Sequence, residues 1–252
     1  VSLKIILWDI ETLPDLPQAL KYWPQLSNYP GQTMKAQINS IACVGWKELG
    51  STKTKIISAW DFPEWKKNVN DDTRLLKAIY DVLKEADVLV THNGRRFDLK
   101  FLQTRLLIKL GLNLPDIIHK DTCAESKKHL FAFNNRLNTL ADLFSVRKKE
   151  DHEGWDLWVK THHREAAAQS KMASYCKQDV RVLEDIFKVM RPLMKGMPNH
   201  NQFLKEDCCP NCGSLNIQSR GWAAKKEKVL RRLQCQDCGK WATVHPKGVK
   251  EL

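Results

Sequence analysis

The segment from Leu3 to Ile10 is almost wholly apolar, yet Asp9 stands inside it and Glu11 follows directly. Such a run reads as a buried strand, and side chains two apart on a strand leave the same face, so the two acids project together. Two further blocks belong with them. Phe97-Asp98 opens the helical pattern Asp98-Leu99-Lys100-Phe101-Leu102. Tyr175-Cys176-Lys177-Gln178-Asp179 lies on a long helical pattern, where residues four apart are neighbours and Tyr175 sits over Asp179. Brought together, Asp9, Glu11, Asp98 and Asp179 would repel one another unless cations neutralised them. Oxygen ligands with few nitrogens suit Mg²⁺ or Mn²⁺, which keep waters and accept substrate phosphate oxygens as remaining ligands. Such a set suits two-metal hydrolysis of a phosphodiester.

Asp9-Ile10-Glu11-Thr12, Asn93-Gly94-Arg95-Arg96-Phe97-Asp98 and Tyr175 to Asp179 resemble the three motifs of the DEDDy branch of ribonuclease H-like 3′–5′ exonucleases. The wording is most similar to that of the proofreading domain of family B DNA polymerases. The resemblance spans about Leu3 to Leu193, with motif order and spacing intact. A lone Asp-x-Glu occurs by chance on surface strands; three motifs in order, each on the expected element, are a far more specific signal.

The resemblance implies a role for each residue. Asp9 would bridge two ions, Glu11 and Asp179 would complete the site that activates water, and Asp98 would hold the second ion, largely through water, beside the leaving 3′-oxygen. Tyr175 would orient the attacking water, since a phenol with a pKa of about 10 is a poor base at neutral pH. Thr12 and Leu13 fall where the family contacts the terminal sugar and base, and Asn93 matches an asparagine near the scissile nucleotide. Arg95 and Arg96 lie where a guanidinium could grip phosphate, with a solvated position as the alternative. Phe97 is the last of this substrate-side set, although its position favours a core anchor for the helix start over a base stacker. Asp121, in His119-Lys120-Asp121-Thr122, resembles a strand end found across the superfamily and reads as a supporting residue.

The coarse element order agrees. Strands are expected at Leu3–Ile10, Ser40–Lys47, Lys55–Trp60, Val88–His92 and near Ile117–Asp121, with helices at Thr73–Ala86, Asp98–Leu110 and around Met172–Leu193. Three strands followed by alternating helix and strand imply an α/β protein with a mixed sheet flanked by helices, as in the ribonuclease H-like fold. Leu75, Leu76, Ile79, Val82 and Leu83 form one apolar stripe of the first helix. Leu13 to Gln37, with four prolines and no sustained period, reads either as a packed surface loop or as a substrate-contacting flap. His92 is expected to satisfy a backbone group. His152, His162 and His163, clustered with Trp155 and Trp158, read as structural or substrate-edge residues.

A second constellation lies beyond a hinge at Met197 to Asn201. Cys209-Pro-Asn-Cys212-Gly213 and Cys235-Gln-Asp-Cys238-Gly239 are two Cys-x-x-Cys knuckles, each able to grip one tetrahedral Zn²⁺ from a tight turn, with the trailing glycines supplying backbone freedom. A tail this short has little core, so metal must substitute for it. The pattern resembles a zinc ribbon of the kind attached to nucleic-acid enzymes. Cys208 would spoil the matched spacing and is left out; Cys43, Cys123 and Cys176 read as core or near-surface thiols. Arg220, Trp222, Lys225, Lys226, Lys228, Arg231 and Arg232 lie between the knuckles, where they could track a phosphate backbone, form a solvated hairpin or meet a protein partner.

The chain carries a formal charge of +12, which suggests a polyanionic partner. Clustered cysteines point to metal and to a reducing intracellular compartment, such as the cytoplasm, rather than to secreted disulfides. No apolar run approaches the ~18 residues of a membrane span, and no signal segment precedes the first strand. The resulting expectation is a 3′–5′ exonuclease domain over 1–197 and a zinc ribbon over 198–252. It would release nucleoside 5′-monophosphates from single-stranded or frayed 3′ ends, with DNA favoured over RNA. The alternatives are a ribonuclease H-like endonuclease, which would cut a circular strand, and a nucleic-acid-binding module whose metal site is silent.

Overall fold

The structure, a computed structural model, describes residues 3–13, 39–148, 154–202, 208–225 and 228–244. The expected flap lies almost wholly outside them, as do His152, Lys226 and the side chains of Trp155 and Lys225. The chain divides into two compact units, one of Lys4–Ile186 and a smaller one that includes Phe187–Leu252.

The larger unit is built on β1 (Ile5–Leu13), β2 (Ser40–Glu48), β3 (Lys55–Ser58), β4 (Val88–Thr91) and β5 (Ile118–Asp121), in the order β3-β2-β1-β4-β5. β1, β2 and β3 pair antiparallel, while β4 and β5 continue the sheet in parallel on the other side of β1. Helices α1 (Pro63–Lys67), α2 (Thr73–Leu83), α3 (Asp98–Leu110), α4 (Thr122–His129), α5 (Leu137–Leu143), α6 (Trp155–His162) and α7 (Ala166–Met190) accompany it. This is the ribonuclease H-like arrangement, a mixed sheet flanked by helices. Among the described residues no helix is long and apolar enough to cross a membrane.

The central position of β1 explains its composition. Ile6, Trp8 and Ile10 enter the main core with Leu75, Leu76 and Ile79 of α2 and Phe101, Leu102 and Leu106 of α3. The odd-numbered residues, including Asp9 and Glu11, leave the other face. Leu75, Leu76, Ile79 and Leu83 of the expected stripe are buried, and Val82 packs partly buried at its margin.

Three boundaries differ from expectation for local reasons. β1 runs on to Leu13 because Thr12 and Leu13 still pair with Ile41 and Ser40 after a register shift that leaves Ala42 extra on β2. β3 stops at Ser58, whose amide donates to the Asp61 carboxylate at 2.8 Å and opens a 3₁₀ turn. α7 gives way to a 3₁₀ turn at Arg191–Leu193, since Pro192 has no N–H to continue the α-helical ladder.

The bulge in β2 sits opposite Glu11/Thr12 and is held from behind. The buried Asp72 carboxylate accepts the Ile41 amide at 2.9 Å and Arg105 Nε at 3.0 Å, tying β2 to α3. A bulge of this kind re-aims neighbouring side chains.

The smaller unit contains a three-stranded antiparallel sheet of β6 (Ile217–Lys225), β7 (Lys228–Cys235) and β8 (Trp241–Val244). Arg191 Nη2 and His200 Nε2 lie 2.7 Å apart within it, and Lys240 Nζ donates to the Pro192 carbonyl at 2.5 Å.

Candidate functional site

Asp9 and Glu11 of β1 and Asp179 of α7 each offer a carboxylate oxygen, and the three oxygens lie within 4.8 Å of one another. Glu11 and Asp179 are buried and Asp9 is half-buried. Asp9 and Glu11 share β1 but Asp179 comes from another element, so their meeting depends on how closely α7 approaches the sheet. Gly45 of β2, directly opposite Asp9, permits that approach. A Cβ there would lie 3.1 Å from the Cys176 carbonyl, the Cys176 sulfur and Val180 Cγ2. The Gly45 amide donates to Cys176 Sγ at 3.1 Å. On the preceding residue of the helix, Tyr175 is largely buried, and its ring meets Trp158 of α6 edge-on with centroids 6.4 Å apart. Lys47 of β2 pairs with Glu184 one turn beyond Asp179.

Asp98 reaches the region from another direction and stands outside the three-acid cluster. β1 and β4 are parallel, with Leu7 opposite Val90, so Asp9, midway along β1, comes level with the carboxyl end of β4, where the turn after Thr91 begins. Open α/β sheets bind ligands at such ends. Asn93 adopts φ 64, and a Cβ on Gly94 would sit 2.4 Å from Thr91 Oγ1, so only glycine fits there. The Asp121 carboxylate clamps the turn: Oδ1 accepts from the Asn93 amide at 2.8 Å and Oδ2 from the Arg95 amide at 3.1 Å. Oδ1 also caps α4 through the amides of Cys123 and Ala124. Asp121 is thus the supporting residue expected. It also acts on its neighbour: burial first, then the Asp121 charge, pushes the Asp98 carboxyl up to about 7.

The substrate-side residues divide. Arg95 and Arg96 are exposed and Asn93 is half-exposed. Leu13 packs in the core and Thr12 is buried, because β1 carries both onward within the sheet. Phe97 packs partly buried against the core, its ring 5.6 Å from that of Phe101, which is the core-anchor reading. His92 Nε2 donates to the Asn135 carbonyl at 2.9 Å, the backbone role expected of it. His162 and His163 stack edge-to-face on each other, 5.7 Å apart, and belong to no candidate metal group among the described residues.

The sequence reading missed Gly45 and the Asp72–Arg105 pair. A glycine inside an otherwise apolar strand signals close backbone approach and could have marked Gly45. The ion pair joins residues 33 apart and leaves no local pattern. Cys43 and Cys176 are both fully buried. Burial raises the Cys43 thiol, and a hydrogen bond with Cys43, then burial, raises Cys176, so both serve as packing groups.

In the smaller unit Cys209, Cys212, Cys235 and Cys238 converge, with Cys209–Cys238 and Cys212–Cys235 sulfurs each 3.7 Å apart. The two knuckles repeat one backbone pattern. The Gly213 amide donates to the Cys209 carbonyl and the Gly239 amide to the Cys235 carbonyl, with φ of 77 and 71 at the two glycines. Zn–S bonds of about 2.3 Å define a tetrahedron with sulfur edges of about 3.8 Å, so the four thiols fit zinc, whereas a disulfide needs about 2.05 Å. Burial pushes Cys209 up to about 11, a proton that a bound cation would displace. Cys208 is excluded as expected: its thiol donates to Asn201 Oδ1 at 2.8 Å. On the sheet Trp222 lies opposite Arg231, and Trp241 opposite Gln234, whose side chain accepts from Arg220 Nε. Both tryptophans are exposed.

Fold and acid cluster together define a protein of the ribonuclease H class. The RNase H superfamily model matches residues 33–191, well over half the chain, and the chain belongs to that superfamily. Among solved structures it is similar to the family B DNA polymerase from the hyperthermophilic archaeon Pyrobaculum calidifontis, with a TM-score of 0.52 and 14% identity. That match covers 76% of this chain but only 26% of the polymerase, so the likeness speaks to the fold of one portion of the larger protein. No curated protein sequence matches the chain. Superfamily and fold support nuclease-type chemistry on nucleic acid.

Proposed function

We propose that the protein is a metal-dependent 3′–5′ exonuclease of the DEDDy type, releasing nucleoside 5′-monophosphates from single-stranded or frayed ends, with DNA favoured over RNA. The observation that carries this reading is the convergence within 4.8 Å of Asp9 and Glu11 on a strand with Asp179 on a helix that also presents Tyr175 one turn away. Three carboxylates so close fit divalent ions such as Mg²⁺ or Mn²⁺ and would be unfavourable without them. When bound, the ions supply charge neutralisation at the phosphate and lower the pKa of water.

The protein's own groups do the rest. Asp9, Glu11 and Asp179 would hold the cations. Asp98, outside the cluster on the neighbouring turn, is assigned to contact through water. Tyr175, braced by Trp158, orients the attacking water through its hydroxyl. Arg95 and Arg96 offer exposed guanidinium groups to phosphate, and Asn93 lies in the same turn. Thr12 and Leu13 contribute backbone rather than side chain.

The division into 1–197 and 198–252 belongs to the same proposal, as do zinc in the four-cysteine site, a reducing intracellular location and a nucleic-acid or protein partner for the ribbon. Matched 3′-labelled DNA and RNA oligonucleotides, with circular single strands as controls, test the reading. Release of labelled mononucleotide from linear strands with circles left intact is the expected result. Cutting of the circles would favour an endonuclease.

A further inference from the structure

Phe131 and Phe133 are the two most exposed large apolar side chains among the described residues, at 110% and 98% of full accessibility. They do not sit on a loose end. The Leu130 amide donates to the Ser126 carbonyl at 2.8 Å, closing α4 just before them. Beyond them, Asn135 receives Ser126 Oγ on its side chain and His92 Nε2 on its carbonyl, and Asn134 Oδ1 accepts the Arg136 amide. An anchored loop thus holds two rings, two positions apart, in water. Exposed apolar groups of this size mark an interaction surface.

The surroundings say what kind. His92 immediately precedes Asn93, so the loop is bonded to the base of the turn that carries Arg95, Arg96 and Asp98. Lys127 and Lys128 occupy the last turn of α4, immediately before the loop, and Lys120 lies on β5. These cations crowd one another. Burial first, then Arg95 and Lys128, draws Lys120 below the ordinary lysine range, while Glu125 opposes. Glu125 Oε2 lies 3.2 Å from His129 Nε2 on the same helix. Positive charge beside exposed aromatic faces suits a strand that has phosphates on one side and unpaired bases on the other.

We propose that Phe131 and Phe133 stack on bases of single-stranded nucleic acid, with its phosphates along Arg95, Arg96, Lys120 and Lys127, and so hold a strand whose end reaches the acid cluster. The inference rests on the nuclease reading of that cluster and adds a binding platform to it. Stacking accepts any base, so the platform confers preference for unpaired strands over duplex rather than for a sequence.

The test measures binding by the full chain, through anisotropy of a fluorescent single-stranded oligonucleotide, with calcium ions replacing magnesium so that binding is read without turnover. The double variant Phe131→Ala/Phe133→Ala should bind about 10- to 100-fold more weakly, with an unchanged salt slope because no phosphate contact is lost. Tryptophan at both positions should preserve affinity, and leucine at both should not. Lys127→Ala should instead make the salt dependence shallower. Affinity of the alanine pair within twofold of the original would overturn the platform. So would a leucine pair that binds as tightly as the tryptophan pair, or failure of the unaltered chain to bind any oligonucleotide, which would turn the loop into a protein-docking site. Binding that depends on the rings, without release of a labelled 3′ end in magnesium or manganese, would retain the platform and sink the exonuclease reading. Hydrolysis with ring-independent binding would do the reverse.

Discussion

The chain carries two clusters of side chains with metal-ligand chemistry, assembled on opposite principles. The four cysteines come from two turns that each carry their own hydrogen bonds, Gly213 to Cys209 and Gly239 to Cys235, and they meet across one small sheet. The clustered acids arrive on β1 and α7, about 170 residues apart in sequence, and a large hydrophobic core brings them together, while Asp98 stands outside on a third element. The sheet beside the cysteines buries only Ala223, Leu233 and Cys235 among its described residues, whereas the acids are carried by a large core. Removing a ligand should therefore do different things in the two places.

The sharpest contrast comes from single substitutions. Asp9→Ala should lower nuclease turnover by about 10³-fold or more while circular dichroism and melting stay native-like, since removing one acid relieves repulsion as it removes a ligand. Near-normal hydrolysis would discard the site. Cys209→Ser should abolish zinc, found at about one ion per chain in the parent by elemental analysis, and should collapse protection of the β6–β8 amides in hydrogen exchange. Retention of those amides would show that the ribbon, like the acid centre, stands without its ion.

Smaller effects probe how the acid centre is positioned. Tyr175→Phe keeps the ring against Trp158 and should cost roughly 10²-fold in rate. An unchanged rate would reduce Tyr175 to packing. Gly45→Ala should cost about 1–3 kcal/mol of stability and lower the rate with it, because its Cβ, 3.1 Å from Cys176 and Val180 atoms, pushes α7 from the sheet. A stability loss with full activity would separate helix packing from the site.

The gentlest test concerns pH. In metal-free protein the Asp98 carboxyl titrates at about 7 when folded, against about 3.9 when unfolded, so the folded state binds the extra proton. The stability from that proton is complete below pH ~4 and is lost as pH rises through about 7. Asp98→Asn should flatten this part of the profile in urea titrations of the metal-free chain. An identical slope in parent and variant would assign the titration elsewhere.

Much of both sites was legible without coordinates. Asp9-x-Glu11 needed only strand alternation, Tyr175 over Asp179 only the helical repeat, and the four cysteines only their matched spacing. The burial of Leu13 was not legible, because nothing local says that β1 keeps pairing after a register shift. Phe131 and Phe133 went unnoticed because apolar residues between helices look like core until their neighbours are known.

The division follows from the range of the interactions. Hydrogen-bonded periodicity and knuckle chemistry act over a few residues, so the linear order of side chains alone determined the α/β class, the acid motifs and the cysteine cluster. Closeness of the acids required α7 to settle against Gly45, the bulge at Ala42 to be held by Asp72, and the Asn93 turn to be clamped by Asp121. Each of those contacts joins residues 28 or more apart in sequence. Only the packed core places them side by side, and so only the tertiary structure decided which carboxylates cluster and which phenylalanines stay in water.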